Sequence, residues 1–497
     1  MKQNVQWKQA IPGLMIAAAI LLLSLAGINY MGQESFVRTT LSGLTIGALY
    51  FMVASGLTII FGLMDVLNFA HGAMFMTGAY IGWQFYTNPT FLFGLFPLIL
   101  AFMLGIATSA LWLKYTTRMK ISASWQPRIR NLLILGGCIV GIWGIWGLDI
   151  LGLAETALVA AMMAGNPLGE ISAQEPLSIF WMRPVLLALA GMLIAFASAR
   201  PGDHTQIVPK GKQWSTWIQV AALFLLTIIA TIVRESGPIA VLTMNANLRF
   251  FLALIIGAAA GAGLGTIVEV SLIRPLYSRP FYIVLVTLGI GYVLREVVQL
   301  LWGPVAYAMA RPPAFAQPGK AENLFAWLSG NNLTVDILGV TFPSYRIFII
   351  VLGVLMLIGL AILMRYSRLG MIIRAGVQDR QMVEALGINV RRIFSIVFAM
   401  GIGLAALGGI GAAPFIPVQP NMGDVYQLQG FIVVVIGGMG SYGGAAIGAL
   451  LLGMARAFGD FLCLKFSLSP AIAEASTVII MAIILLVRPS GLLGKKE

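Results

Sequence analysis

Long apolar runs alternate with short polar breaks along almost the whole chain. Most runs are near the ~20 residues that an α-helix needs to cross a hydrocarbon core. They predict spans at 11–31, 41–63, 66–86, 91–113, 132–150, 178–199, 217–233, 248–273, 281–302, 345–364, 393–412, 425–439, 445–462 and 471–487. The expected fold is an all-α polytopic membrane protein with about fourteen transmembrane helices. Two places break the pattern. Only Met64 and Asp65 part the second run from the third, and 425–439 is short and glycine-rich, as a broken or re-entrant helix would be. Lys2 and Lys8 precede the first run as in a signal peptide, but no small-residue cleavage pattern follows, so this run reads as an uncleaved first helix.

The polar breaks orient these spans. Loops 114–130, 200–212, 274–279 and 365–392 and the tail 488–496 hold the strongly basic residues, and alternation puts all of them on one side. Positive loops stay in the cytoplasm, so both termini are expected there, with the chain in the cell (inner) membrane. The stretch 303–344, which includes Pro304, Pro312, Pro313 and Pro318, falls outside.

Composition agrees, with 59% hydrophobic and 10% charged residues. A net charge of +13 would suggest a nucleic-acid partner if it formed one patch, but it is spread over inter-span loops, so none is expected. Cys138 and Cys463 lie in separate apolar runs, which fits small core residues and offers no disulfide or metal framework.

Three stretches carry candidate chemistry. The loop 365–392 contains Arg365, Arg368, Arg374, Arg380, Arg391 and Arg392, and its Met371, Ile372, Val377, Met382, Val383 and Leu386 recur at helical spacing. That is an apolar stripe on a short helix outside the bilayer, and it needs a partner. Gly387 offers its stop. Asp65, Asn68 and His71 interrupt an apolar stretch, where polar groups are costly unless they serve a pathway or cross-link helices; both readings stay open here.

Glycine dominates the third stretch, 437–444, while Gly257, Gly261 and Gly265 repeat every fourth position as a helix-packing stripe. No GxxxxGK[ST], HExxH or nucleophile-elbow motif occurs, so an enzyme is not expected and neither cofactor nor metal is implied. Glu269 with Arg274, Arg295 with Glu296, and Arg456 with Asp460 read as ion pairs.

Arg374-Ala375-Gly376 followed by Glu384-Ala385-Leu386-Gly387-Ile388 resembles the EAA-type coupling loop of ABC importer permeases, in the form found in branched-chain amino-acid (LIV-type) permeases. Stretches 62–80 and 431–453 are similar to the same family. The resemblance covers about 41–86 and 248 to the end. It divides the chain into N-terminal permease-core helices (1–86), an inserted transmembrane block (87–246), and the main core (247–497) with its coupling loop 365–392.

The resemblance implies a transport subunit of an ATP-driven importer for branched-chain or related small amino acids, set in membrane lipid. Its partners would be ABC ATPase subunits, an extracytoplasmic solute-binding protein and a second homologous permease or a copy of itself. ATPase coupling would fall to Arg374, Gly376, Val377, Asp379, Met382, Val383, Glu384, Ala385, Leu386 and Gly387. The translocation pathway would use Asp65, Asn68, Phe69, His71 and Gly72. Urea or short-chain amides are alternative solutes. A stand-alone secondary transporter is the alternative class, and it would need carboxylates such as Asp65, Glu269, Glu296, Asp460 or Glu474 for ion coupling.

Overall fold

The structure is a computed structural model describing residues 26–64, 67–109, 111–112, 125–150, 153–154, 180–198, 212–277, 279–330, 332–488 and 491–493. Among these, nine helices are long and apolar enough to cross a membrane, ten if a pair bent by 74° at Thr216–Ile232 and Ser236–Thr243 forms one span. Met182–Ser198 and Met422–Gly437 are apolar but shorter. Each predicted run from the second onward has a helical counterpart. Most of the first, 11–31, lies outside the described residues.

The described residues fall into two compact units, one drawn from Met1–Trp83, Phe250–Val298 and Pro304–Glu497, the other from Gln84–Arg249 and Gln299–Gly303. In chain order the helices are α1 (Gln33–Met64), α2 (His71–Thr87), α3 (Thr90–Ala107), α4 (Gln126–Ile145), α5 (Met182–Ser198), α6 (Lys212–Ile232), α7 (Ser236–Thr243), α8 (Ala246–Val268) and α9 (Pro280–Trp302). Next come α10 (Leu324–Gly330), α11 (Ser344–Tyr366), α12 (Arg368–Gln378), α13 (Arg380–Ala385), α14 (Val390–Ala412), α15 (Met422–Gly437), α16 (Tyr442–Lys465) and α17 (Pro470–Val487).

The first unit is built around α1, which at 32 residues is longer than its apolar run because Gln33–Arg38 adds a polar turn, closed by an Arg38–Glu34 pair at 2.8 Å. It is wrapped by α14, α15, α16 and α11. Small residues set the spacing: Cβ atoms on Gly261 and Gly265 of α8 would run into Ala406 and Ile402 of α14, so the stripe seen in the sequence is a packing face. A π-turn, Glu269–Ile273, ends α8 and brings Glu269 to Arg274 at 3.1 Å.

Prolines and polar residues leave the described part of 303–343 without a helix of membrane length; its α-helix, α10, has seven residues. The stretch folds as a three-stranded sheet, β1 (Gln317–Ala321) parallel to β2 (Asn332–Ile337) and β2 antiparallel to β3 (Val340–Pro343). Ala321, Val335, Phe342 and Ile347 form its small core.

The second unit packs α3 against α5, where Gly105 and Gly191 let the two backbones touch, and α4 against α5. Leu98, Ala101, Phe180 and Leu187 fill its core. Arg183 donates to the carbonyls of Gly144 (3.1 Å) and Trp146 (2.9 Å), closing the open end of α4. Cys138 on α4 is exposed and Cys463 is buried, so only the second is a core residue; Cys138 faces outward with its neighbours Leu135, Ile139 and Ile142.

Candidate functional site

The glycine-spaced packing of the first unit places two helix starts inside the bundle. His71, at the start of α2, lies with Nε2 3.0 Å from the Val53 carbonyl. Val53 is about eleven residues from the end of α1, so α2 begins about 16 Å back along that helix. The stretch 67–70 is therefore non-helical chain inside the bundle. The same holds for 413–421 from the opposite end: Gly401 of α14 sits beside Gly56, α14 climbs about eleven residues further, and the chain then comes back to start α15.

The two starts meet. Cβ atoms on Gly72 and Gly423 would each overlap the other's backbone, and Gly56 and Gly401 touch in the same way one layer away. Only glycine permits this approach. Backbone outside helices is tolerated at membrane depth where protein or a water-filled cavity surrounds it.

Polar side chains hold the junction. Gln427 of α15 accepts from Gly72 N through Oε1 and donates from Nε2 to the Asn68 carbonyl at 3.2 Å. Asn68 Oδ1 accepts from Ala70 N at 3.0 Å, and Phe69 N donates to Thr287 Oγ1 of α9 at 3.2 Å. Asn68 and His71 are fully buried, and Asn68 Nδ2 and His71 Nδ1 have no hydrogen-bond partner.

Beside this junction lies a cavity of about 240 Å³. One wall is Leu288, Gly291, Tyr292 and Arg295 of α9; the other is Asp424, Gln427, Leu428 and Phe431 of α15; Phe69 forms the floor against Phe431, with ring centroids 5.0 Å apart. Each wall has the i, i+3, i+4, i+7 spacing of one helix face. Arg295 Nη1 donates to Asp424 Oδ2 at 3.1 Å across the cavity.

The basic loop 365–392 differs from expectation. A single striped helix was predicted over its apolar positions, but the chain forms α12 and α13, broken at Asp379. The Asp379 carboxylate accepts from Met382 N at 2.9 Å and starts a new helix there, which outweighs continuation. The apolar side chains also split. Ile373 and Val383 are buried, Val383 at 2% exposure, with Leu63, Val390 and Phe394 of the same chain. Met371, Met382 and Leu386 are the exposed ones, Leu386 at 72%. Val383 is thus not a docking side chain; it seats the loop on its own bundle.

Arg374 donates to the Met364 carbonyl at the end of α11, and a Cβ on Gly376 would lie 3.1 Å from Leu63 at the end of α1. Gly387, with φ of 79°, ends α13 as predicted. Asp379, Glu384 and Ala385 are exposed. The Val377 side chain lies outside what the structure describes, as does Asp65 altogether.

The structure thus brings Asn68, Phe69, His71 and Gly72 to one junction. Gln427 and Asp424 were missed, and Arg295 was seen only as a partner of Glu296. The signal for them was the rule that singled out Asn68: ionisable and amide groups in or beside an apolar span demand a reason.

Residues 218–488, more than half of the chain, match the family model described as "Branched-chain amino acid transport system / permease component". Among curated proteins, the chain is 30% identical over 253 residues to the high-affinity branched-chain amino acid transport system permease protein LivH of Salmonella typhimurium, covering 50% of this chain and 74% of that protein. It is 31% identical over 229 residues to LivH of Escherichia coli, covering 45% and 68%. To BraD of Pseudomonas aeruginosa, described in the same words, it is 29% identical over 280 residues, covering 56% and 82%. No solved structure gives a significant match.

Proposed function

Since this chain belongs to the branched-chain amino acid transport system permease family, we propose that it is a membrane permease subunit of an ATP-driven importer for branched-chain or related small amino acids. Separate ATPase subunits hydrolyse ATP, an extracytoplasmic binding protein delivers solute, and a second permease or another copy of this chain completes the pathway. It resides in the cell (inner) membrane with both termini cytoplasmic, and 87–246 is a block inserted into a permease core.

The observation that carries this reading is the cytoplasmic loop. It is capped at Ser367, Asp379 and Asn389, anchored on α11 by Arg374, and packed on the end of α1 by Ile373 and Val383, yet it leaves Met371, Met382 and Leu386 uncovered. A rigid mount with an apolar outer face fits a docking element for an ATPase. A push on the loop would reach the end of α1, the helix against whose Val53 the start of α2 is held. Asn68, Phe69, His71 and Gly72, with Asp65 just before them, would then line or hold the moving part of the pathway.

The alternative of a stand-alone, ion-coupled transporter needs a carboxylate able to bind and release an ion. Among the described residues, Glu269 is held by Arg274, Glu296 lies 3.7 Å from Arg295, and Asp460 and Glu474 both face Arg456. Each of these four carboxylates already faces an arginine, which competes with a coupling cation for the same oxygens.

The test is Met382→Asp with Leu386→Asp in the assembled transporter. Each exposed side chain contributes about 1.5–3 kcal/mol if a partner buries it, so the double substitution should release the ATPase or cut ATP-driven leucine uptake by roughly a hundredfold or more. Unchanged co-purification and uptake would reduce the loop to an ordinary connection. Val383→Asp is unsuitable as a test, because a buried carboxylate there would unseat the loop itself.

A further inference from the structure

The cavity between α9 and α15 is built for more than packing. Its two walls meet at a guanidinium and a carboxylate 3.1 Å apart, while the rest of the lining, apart from the Gln427 amide and the Tyr292 phenol, is apolar: Phe69, Leu288, Leu428 and Phe431, with Gly291 leaving room. Arg295 Nη1 is engaged by Asp424, but Arg295 Nε makes no hydrogen bond and is shielded from solvent. The nearest other charge is Glu296, 3.7 Å from that Nε. The Asp424 side chain stays 68% exposed. A charged pair on a face of a membrane bundle is costly against lipid, so it belongs to a solute path. At about 240 Å³ the cavity is below the ~300–1,000 Å³ of drug-sized pockets and suits one small molecule.

We infer that this cavity is a subsite for a zwitterionic α-amino acid with an apolar side chain, Arg295 receiving the carboxylate, Asp424 the ammonium group, and Phe69, Phe431 and Leu288 the side chain. This rests on the importer reading and adds to it the groups that recognise solute inside the membrane. The ion pair opens to admit the solute's own two charges, so both protein charges remain compensated throughout. That matters most for Arg295, whose side chain is 26% exposed and whose Nε is shielded from solvent. The start of α15 adds its dipole next to Asp424 and Arg295, favouring an anionic group at this level. Urea and short amides carry neither charge and would leave the open pair without partners.

The experiment measures equilibrium binding of L-leucine to the purified transporter without the binding protein, with leucinamide and 4-methylpentanoate as competitors. The first lacks the carboxylate and the second the amine. Wild type should prefer leucine to each by about tenfold or more, the worth of one charge-assisted hydrogen bond. Arg295→Gln should lose the preference over leucinamide and keep that over 4-methylpentanoate; Asp424→Asn should do the reverse. Gly291→Leu, which fills the cavity and leaves the charges in place, should abolish binding.

A strut between helices would not produce this split. The inference is overturned if both preferences survive in both variants, if wild type binds no leucine at millimolar concentration, or if the exchange of charges in Arg295→Asp with Asp424→Arg restores wild-type binding. Absence of ATP-driven uptake by wild type, with the split in binding intact, would count against the importer reading and leave the subsite standing.

Discussion

The two compact units solve the same problem, a bundle of apolar helices, in opposite ways. In the first unit, 78% of the most apolar window of α1 and 67% of that of α14 are buried, while in the second only 11% of α4's window is. The first unit buries Asn68, His71, Gln429 and Glu269 and has non-helical chain at 67–70 and 413–421. The second turns Leu132, Leu135, Ile139, Ile142 and Trp143 of α4 outward, as a lipid-facing helix would. The second unit also buries polar groups, among them Gln84, Asn88 and Arg234, and has its own bent helix pair; what sets the first apart is that two non-helical returns meet glycine to glycine at Gly72 and Gly423.

The sharpest way to break this contrast is a pair of glycine substitutions. Gly72→Val puts a side chain into the Gly423 backbone and should abolish transport, because neither backbone can give way. Gly136→Val in the second unit meets nothing within 4 Å and should leave uptake within about twofold. Equal tolerance of both would mean that the junction is looser than its geometry.

A smaller effect is expected from Gln427→Leu. It removes the partner of Gly72 N and of the Asn68 carbonyl, leaving buried polar groups unsatisfied at about 1–3 kcal/mol each. Thermal unfolding in detergent should fall measurably, and uptake should fall further than with Thr227→Val, which removes only a local bond to Leu223 O in the second unit.

The smallest effect concerns the three-stranded sheet, which belongs to neither pattern of membrane packing. Lys320 lies 2.5 Å from Asp336, and this hydrogen bond holds the Asp336 carboxyl below its ordinary value. A depressed folded value means that the pair supports the sheet above the unfolded pKa, near pH 4, and that this support is lost as pH falls through the folded value. A carbon NMR titration of Asp336 should show the lowered midpoint, and Lys320→Ala should move it back up.

Hydropathy and the EAA-like loop were enough to place the spans and identify the family, because the bilayer imposes length and polarity residue by residue. The helix stop at Gly387 was legible for the same local reason. The break at Asp379 was legible only as a capping residue, and it went unread beside a strong apolar periodicity. Whether Val383 faces a partner or its own bundle could not be read, since a stripe states that a face is buried and not by what. The junction at Gly72 and Gly423, and the cavity that sets Arg295 against Asp424, join residues more than a hundred positions apart. Their meeting depends on how far α14 climbs before 413–421 returns, a distance set by helix packing and not by any local preference. The tertiary structure alone decided it.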